Sequence, residues 1–288
     1  MSAGVAALRH KIAGATELRS IVRTMKALAA ANIGQYERAV QALGEYCRTV
    51  ELGLGVCLRD AGPADAASGL APARVGAIVF GSDQGLVGQF NDVVADFAIA
   101  ELAALPVPAE VWAVGARVRA RLGEAGVAVQ GDFVLPGGVA GISPLVGQLQ
   151  LETARHWSAG AGQLIVFHNQ PRAGAGYAPV RQQLFPFDAA WMAGLARAPW
   201  PGAALPQILG GGAALRALVH EYLFISLFRA CAESLASENA SRLAAMERAD
   251  KNIGELLEGV HDNYHRLRQS QIDAELFDVI AGFDSLQS

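Results

Sequence analysis

The stretch GSDQGLVGQFN, residues 81–91, follows the apolar run VGAIVF and precedes the apolar-patterned DVVADFAIAEL. A buried strand, a glycine-rich turn and a helix is the geometry that cradles phosphate on backbone N–H groups. Here the chemistry is incomplete. Glycines at 81, 85 and 88 match neither GxxxxGK[ST] nor GxGxxG, and no lysine or arginine lies between Gly81 and Asn91 to meet a phosphate. The glycines suit a turn that needs positive φ, and Asn91 suits the N-cap of the next helix. Asp83 with Asp132, and Glu110 with Asp188, would be acid–base pairs if folding brought them together; nothing in their spacing does so. His261 and His265 have the i, i+4 spacing of a helical metal pair, but no carboxylate or cysteine completes a ligand set. No serine lies in a GxSxG context. The residues therefore predict no catalytic centre, cofactor or metal site.

Composition narrows the class. The chain has 288 residues, 52% hydrophobic and 17% charged, enough for a sizeable core and too apolar for wholesale disorder. A net charge of −4 gives no reason to expect nucleic-acid binding. Cys47, Cys57 and Cys231 are odd in number with no CxxC pair, which predicts reduced thiols in a cytoplasmic protein. Arg9, His10 and Lys11 interrupt the N-terminal segment, so it does not read as a signal peptide. His220, Glu221, Arg229 and Glu233 interrupt the most apolar stretch near the other end, so it does not read as a membrane span.

The elements that must position these residues are set by proline. All twelve prolines lie between Pro63 and Pro206, leaving both ends free to form long helices. Leu8, Ala15, Val22, Ala29, Tyr36, Leu43 and Val50 recur every seventh residue, and Ile33, Val40, Cys47 and Leu54 form a second row. In the first half that row holds Arg19 and Lys26. The apolar stripe there passes to Leu18 and Met25, as if the helix turned its contact face. At the other end Met246, Ile253, Val260 and Leu267 repeat by seven, and the stripe resumes at Ile272, Leu276, Val279 and Phe283. Helices over 4–59 and 213–281 would span about 84 and 100 Å. A compact chain of this size has a radius of gyration of about 19 Å, so they should project and pair antiparallel. Charge agrees: residues 1–38 carry net +4 and residues 213–288 net −5.

The middle reads as strands at 75–80, 111–115, 127–129, 163–168 and 180–185, with helices at 92–104, 115–125 and 143–157. That alternation predicts an α/β domain with a largely parallel sheet. GPADAASGLAPA (62–73) reads as a linker. The expected organisation is an N-terminal coiled-coil helix (1–60), a central Rossmann-like α/β domain (61–208) and a C-terminal coiled-coil helix (209–288).

Three stretches resemble the gamma subunit family of F-type ATP synthases, the central-stalk rotors. IVRTMKALAAANI (21–33) is similar to the family's N-terminal helix block. GSDQGLVGQFN is similar to its strand-to-helix signature, with Gln84 for the usual arginine and Val87 for the usual cysteine. The most specific are ESLASENASRLAAMERADKNIGELL and YHRLRQSQIDAELFDVIAG, similar to the family's C-terminal helix. The resemblance implies a shaft that threads a ring of alternating alpha and beta subunits and couples ion flow to ATP synthesis or hydrolysis.

It implies hexamer contacts at Arg23, Met25, Lys26, Glu238, Arg242, Arg268, Gln269, Ile272, Glu275 and Asp278, with Arg268 and Gln269 gripping the beta subunits. Asp273 replaces the family's threonine. The segment that should seat on the c-subunit ring, PWPGAALPQILGGGAALRAL, does not match the family pattern, which hints at a divergent, sodium-coupled subtype. The implied partners are the alpha, beta and epsilon subunits and the c-ring. The implied location is peripheral, on the cytoplasmic face of a bacterial inner membrane, touching the membrane only through the complex. The chain itself would be non-catalytic and hold no cofactor. A free-standing α/β nucleotide-binding enzyme and a non-rotary coiled-coil scaffold are the alternative readings.

Overall fold

A computed structural model describes residues 3–61, 74–156, 162–172, 176–202, 208 and 210–287; the linker 62–73 lies outside them. The proline-free ends form α1 (Ala3–Ala61) and α6 (Gly212–Gln287), uninterrupted helices of 59 and 76 residues. Between them run β1 (Arg74–Phe80), α2 (Phe90–Ala103), β2 (Ala109–Val114), α3 (Ala116–Glu124), β3 (Val129–Phe133), α4 (Ile142–His156), β4 (Gly162–Arg172), β5 (Gly176–Phe185) and α5 (Ala189–Arg197). The third strand begins where the sequence reading ends it, and α5 was not anticipated. None of the described helices is long and apolar enough to cross a membrane.

The sheet order is β3-β2-β1-β4-β5, parallel except for β5, which pairs antiparallel with β4. Strand alternation sorts the core into two layers. Val75, Ala77, Val79, Val111, Ala113, Ile165 and Phe167 face one side and pack on α2 and α3. Ile78, Phe80, Trp112, Val114, Leu164 and Val166 face the other and pack on α4 and α6. A parallel sheet covered on both faces has near-continuous apolar strands, which is why VGAIVF reads as a run rather than an alternation.

The chain divides into two compact units, Met1–Ala29 with Leu243–Ser288, and Ala30–Arg242. The division cuts through both long helices instead of falling at their inner ends, so it differs from the three-part organisation expected from sequence. The physical reason is burial. From Ile225 to Asn239 every residue of α6 except Arg229 is buried, and Tyr36 of α1 joins the same core as the sheet. These portions of the helices belong to the α/β layer.

In the smaller unit, α1 and α6 run antiparallel: Arg9 meets Tyr264, Arg19 meets Asp250 and Lys26 meets Glu247. Val22, Met246, Ile253 and Leu257 form its buried core, with Ile12, Ala15 and Met25 packed against it. Leu18 is 53% exposed. The contact face therefore does not turn to Leu18. It continues through Arg19, whose guanidinium lies over Gly254, where an added Cβ would come within 3.2 Å of Nη2. A long basic side chain can fill an apolar row with its stem and keep its head in an ion pair.

Gly81 shows how tightly the sheet and α3 fit. A Cβ there would sit 2.3 Å from Val118 Cβ and 2.8 Å from Asn91 Oδ1. Gly81→Ala should therefore lower stability by about 1–3 kcal/mol through overpacking, as measured by equilibrium denaturation of the full chain.

Candidate functional site

The β1–α2 turn is filled by its own side chains. Ser82 N donates to Asn91 Oδ1 at 2.9 Å, Asn91 Nδ2 donates to Ser82 Oγ at 2.8 Å, and Ser82 Oγ donates to the Gln84 carbonyl at 2.9 Å. Because α2 begins at Phe90 with Gln89 at the cap position, Asn91 is not the N-cap. It lies in the first turn and reaches back to close the loop. Positive φ occurs at Gly88 and at Leu86 (64°), whereas Gly81 is required for close approach to Val118. Asp83 accepts from Ala116 N at 2.9 Å and Leu135 N at 2.7 Å, tying three loops together. The other carboxylates are engaged separately. Asp132 pairs with Arg119, and Asp188 caps α5 by accepting from Trp191 N. Asp83 and Asp132 are thus each engaged elsewhere.

In sheets of this order, ligands bind outside the carboxyl ends of the strands where the order reverses, here beside β1 and β4. α6 occupies that place. Ser241 Oγ donates to the Val87 carbonyl at 2.6 Å and Ser237 Oγ to the Asn169 carbonyl at 2.9 Å. Asn169 Nδ2 donates to the Phe90 carbonyl at 2.9 Å. Glu233 takes a 2.9 Å hydrogen bond with His168 Nε2, and accepts from Gln170 Nε2 at 3.1 Å and Arg229 Nε at 2.9 Å. Burial pushes the Glu233 carboxyl up, but the bonds to His168 and Arg229 outweigh it and hold the group below its usual range. His261 and His265 stack on the outer surface of α6. Among the described residues no group of three or more His, Cys, Asp or Glu is arranged to hold a metal.

A sequence model described as ATP synthase matches residues 4–286. The chain belongs to the ATP synthase family. It is 26% identical to the ATP synthase gamma chain of Sinorhizobium fredii, covering 97% of this chain and 98% of that one. It is 25% identical to the ATP synthase gamma chain of an Anaeromyxobacter species, with coverage of 97% and 98%. The rotor of Euglena gracilis mitochondrial ATP synthase, in rotational state 1, shares the fold. The TM-score is 0.65 at 15% identity, over 93% of this chain and 99% of that one.

The residues singled out by the family resemblance fall into three groups. Arg23 and Lys26 lie on the paired helices of the smaller unit, in ion pairs with Asp250 and Glu247, and Met25 packs beside Val22. Arg268, Gln269, Ile272 and Glu275 are exposed on α6; the Asp278 side chain lies outside the described residues. Glu238 and Arg242 differ. Both are largely buried in the α/β layer, paired at 2.5 Å between Arg242 Nη2 and Glu238 Oε1. Burial raises the Glu238 carboxyl above its usual range against the pull of Arg242. Sequence reasoning missed the exposure of Leu18, Ile21 and Leu28 on α1 and of Leu276, Phe277, Val279 and Ile280 on α6. A count of heptad rows that kept Arg19 in the seam would have found the α1 set. The segment expected to seat on the c-ring lies partly outside the described residues, its final part forming the start of α6.

Asp250 accepts from Arg19 at 2.7 Å and Arg23 at 3.2 Å, and these bonds hold its carboxyl below the usual range. A depressed carboxylate stabilises the fold above its unfolded pKa, and that contribution is lost as pH falls through the folded one. Asp250→Asn should therefore destabilise the chain at neutral pH and flatten the decline in stability below about pH 4. Thermal denaturation of both proteins across that range measures this.

Proposed function

We propose that the chain is the central rotor shaft of an F-type ATP synthase, coupling ion flow through a membrane ring to ATP synthesis or hydrolysis in an alpha/beta hexamer. The observation that carries this reading is the pair of uninterrupted helices. α1 and α6 form an antiparallel pair with ionic contacts along its seam, and α6 carries exposed apolar residues between Ile272 and Ile280. Torque requires a stiff element, and two packed helices resist bending better than one. Full-length similarity to gamma chains and the shared fold with a rotor support the same reading.

In this role the chain is a non-catalytic subunit, and the nucleotides belong to the neighbouring subunits. That is consistent with a turn at residues 81–91 closed by Asn91, Ser82 and Asp83. The partners are the alpha and beta subunits, the epsilon subunit and the c-ring, which would hold the chain at the cytoplasmic face of a bacterial inner membrane. Arg268 and Gln269 are the exposed polar catch toward the hexamer. Ile272, Glu275 and Asp278 extend that surface, and Arg23, Met25 and Lys26 provide a second. Glu238 and Arg242 serve mainly within the chain, where they pair with each other.

Co-purification of the chain with an alpha/beta hexamer tests the assignment, and its absence would return the scaffold reading. Nucleotide binding by the purified chain would instead favour the free-standing enzyme. Within the assembled complex, Arg268→Ala with Gln269→Ala should lower coupled ATP synthesis by about tenfold or more, since charge-assisted hydrogen bonds are worth about 1.5–3 kcal/mol. Unchanged assembly and synthesis would exclude these residues as the catch.

A further inference from the structure

α6 meets the sheet through Leu227, Ala230, Cys231, Leu235 and Ala236, a surface of small and aliphatic groups. Close packing of these groups restricts the helix, but each such contact is weakly directional on its own. The directional contacts on this face are hydrogen bonds, which weaken steeply when misaligned. Their centre is Glu233. It is 7% exposed and receives His168 and Gln170 from β4 at one oxygen and Arg229 from its own helix at the other. His168 is 2% exposed and lies one residue beyond the segment of β4 that pairs with β1. A roll of α6 by one residue position, about 100°, would carry the carboxylate away from both β4 donors into apolar surroundings.

We infer that Glu233 and His168 form a torsional pin that fixes the angle of α6 against the sheet, so that twist carried by the helix is delivered to the α/β layer. The inference rests on the rotor reading. Ser237, bonded to the Asn169 carbonyl one turn further along α6, reinforces the same angle.

The network is not built for maximal stability. His168 Nδ1 and Asn169 Oδ1 are buried with no hydrogen-bond partner among the described residues. Incompletely satisfied buried polar groups are outperformed in stability by apolar replacements of similar volume. That separates a pin from a simple stabilising contact. The double variant His168→Leu with Glu233→Met should fold at least as stably as the parent and lose the directional restraint at Glu233, leaving only the Ser237 and Ser241 hydroxyl bonds to hold the angle. Arg229, already exposed, keeps its head in solvent.

The test uses the chain assembled with an alpha/beta hexamer fixed to a surface. A bead is attached at Val134→Cys, an exposed site in the α/β layer, with Cys47 replaced by serine. The angular variance of the bead is recorded while the motor pauses during ATP-driven rotation. The double variant should raise that variance by roughly twofold or more, with the thermal midpoint unchanged or higher and the ATP hydrolysis rate unchanged. A folded double variant with parental variance overturns the pin. If the double variant does not assemble, Glu233→Gln, which keeps shape and loses charge, is read in the same assay with the same two outcomes. A parent complex that hydrolyses ATP without turning the bead overturns the rotor reading itself.

Discussion

Between Ile225 and Asn239, α6 has almost no exposed face, and the remaining architecture follows from how that stretch is accommodated. One side lies on the sheet and α4. Another meets α1 near Tyr36, Ala39, Val40 and Leu43. A helix can approach neighbours this closely on several sides only with small residues, and Ala230, Cys231, Ala232 and Ala236 supply them. The desolvation this imposes pushes the Cys231 thiol far up, so it behaves as a packing atom rather than a nucleophile. The place beside β1 and β4 where a doubly wound sheet offers polar groups to a ligand is taken by α6, and those groups bind the helix instead.

Residues 1–29 and 243–288 face a different constraint. Two helices alone bury only one stripe each, so most of their surface stays in water and the apolar contribution is limited. Arg19 and Lys26 occupy the seam where aliphatic residues would bury more area. Their pairing with Asp250 and Glu247 sets register at modest energetic gain, as exposed ion pairs do. A shaft held this way keeps its helices aligned without relying on a large core.

Much of this was legible in the sequence. Proline placement fixed the extent of both helices, and the seven-residue rows located Val22, Tyr36, Met246 and Ile253 in the core. Apolar runs located β1, β2 and β4, because a sheet covered on both faces leaves no polar alternation in its inner strands. What was not legible depends on three-dimensional closure. Asn91 has the residue type of a cap, yet the helix begins one residue earlier and the side chain is recruited by Ser82. Leu18 looked like seam because hydrophobicity was weighed above spacing, while the strict seven-residue row through Arg19 is the one that is half-buried. Glu238 and Arg242, at i, i+4 on a helix, carry the pattern of a surface pair; only the insertion of α6 against the sheet makes them interior.

The far end of α6 inverts the usual relation between hydrophobicity and burial. Arg9 of α1 stands opposite Tyr264, so α6 continues well past its partner helix. Beyond that point Ile272, Leu276, Phe277, Val279 and Ile280 are exposed. Ile272, Leu276 and Val279 share one face, at spacings of four and three residues. Phe277 and Ile280 are rotated from it by about 100°, which widens it into one broad apolar arc. Glu275 lies outside that arc, so the segment is amphipathic with an apolar face broader than a single narrow stripe. Exposed Arg268 and Gln269 border this segment on the same helix. Within the proposed rotor, this apolar face and the catch proposed at Arg268 and Gln269 would divide the work. Non-directional contacts would let the face turn inside a ring of subunits, and the directional groups beside it would supply angle-dependent engagement.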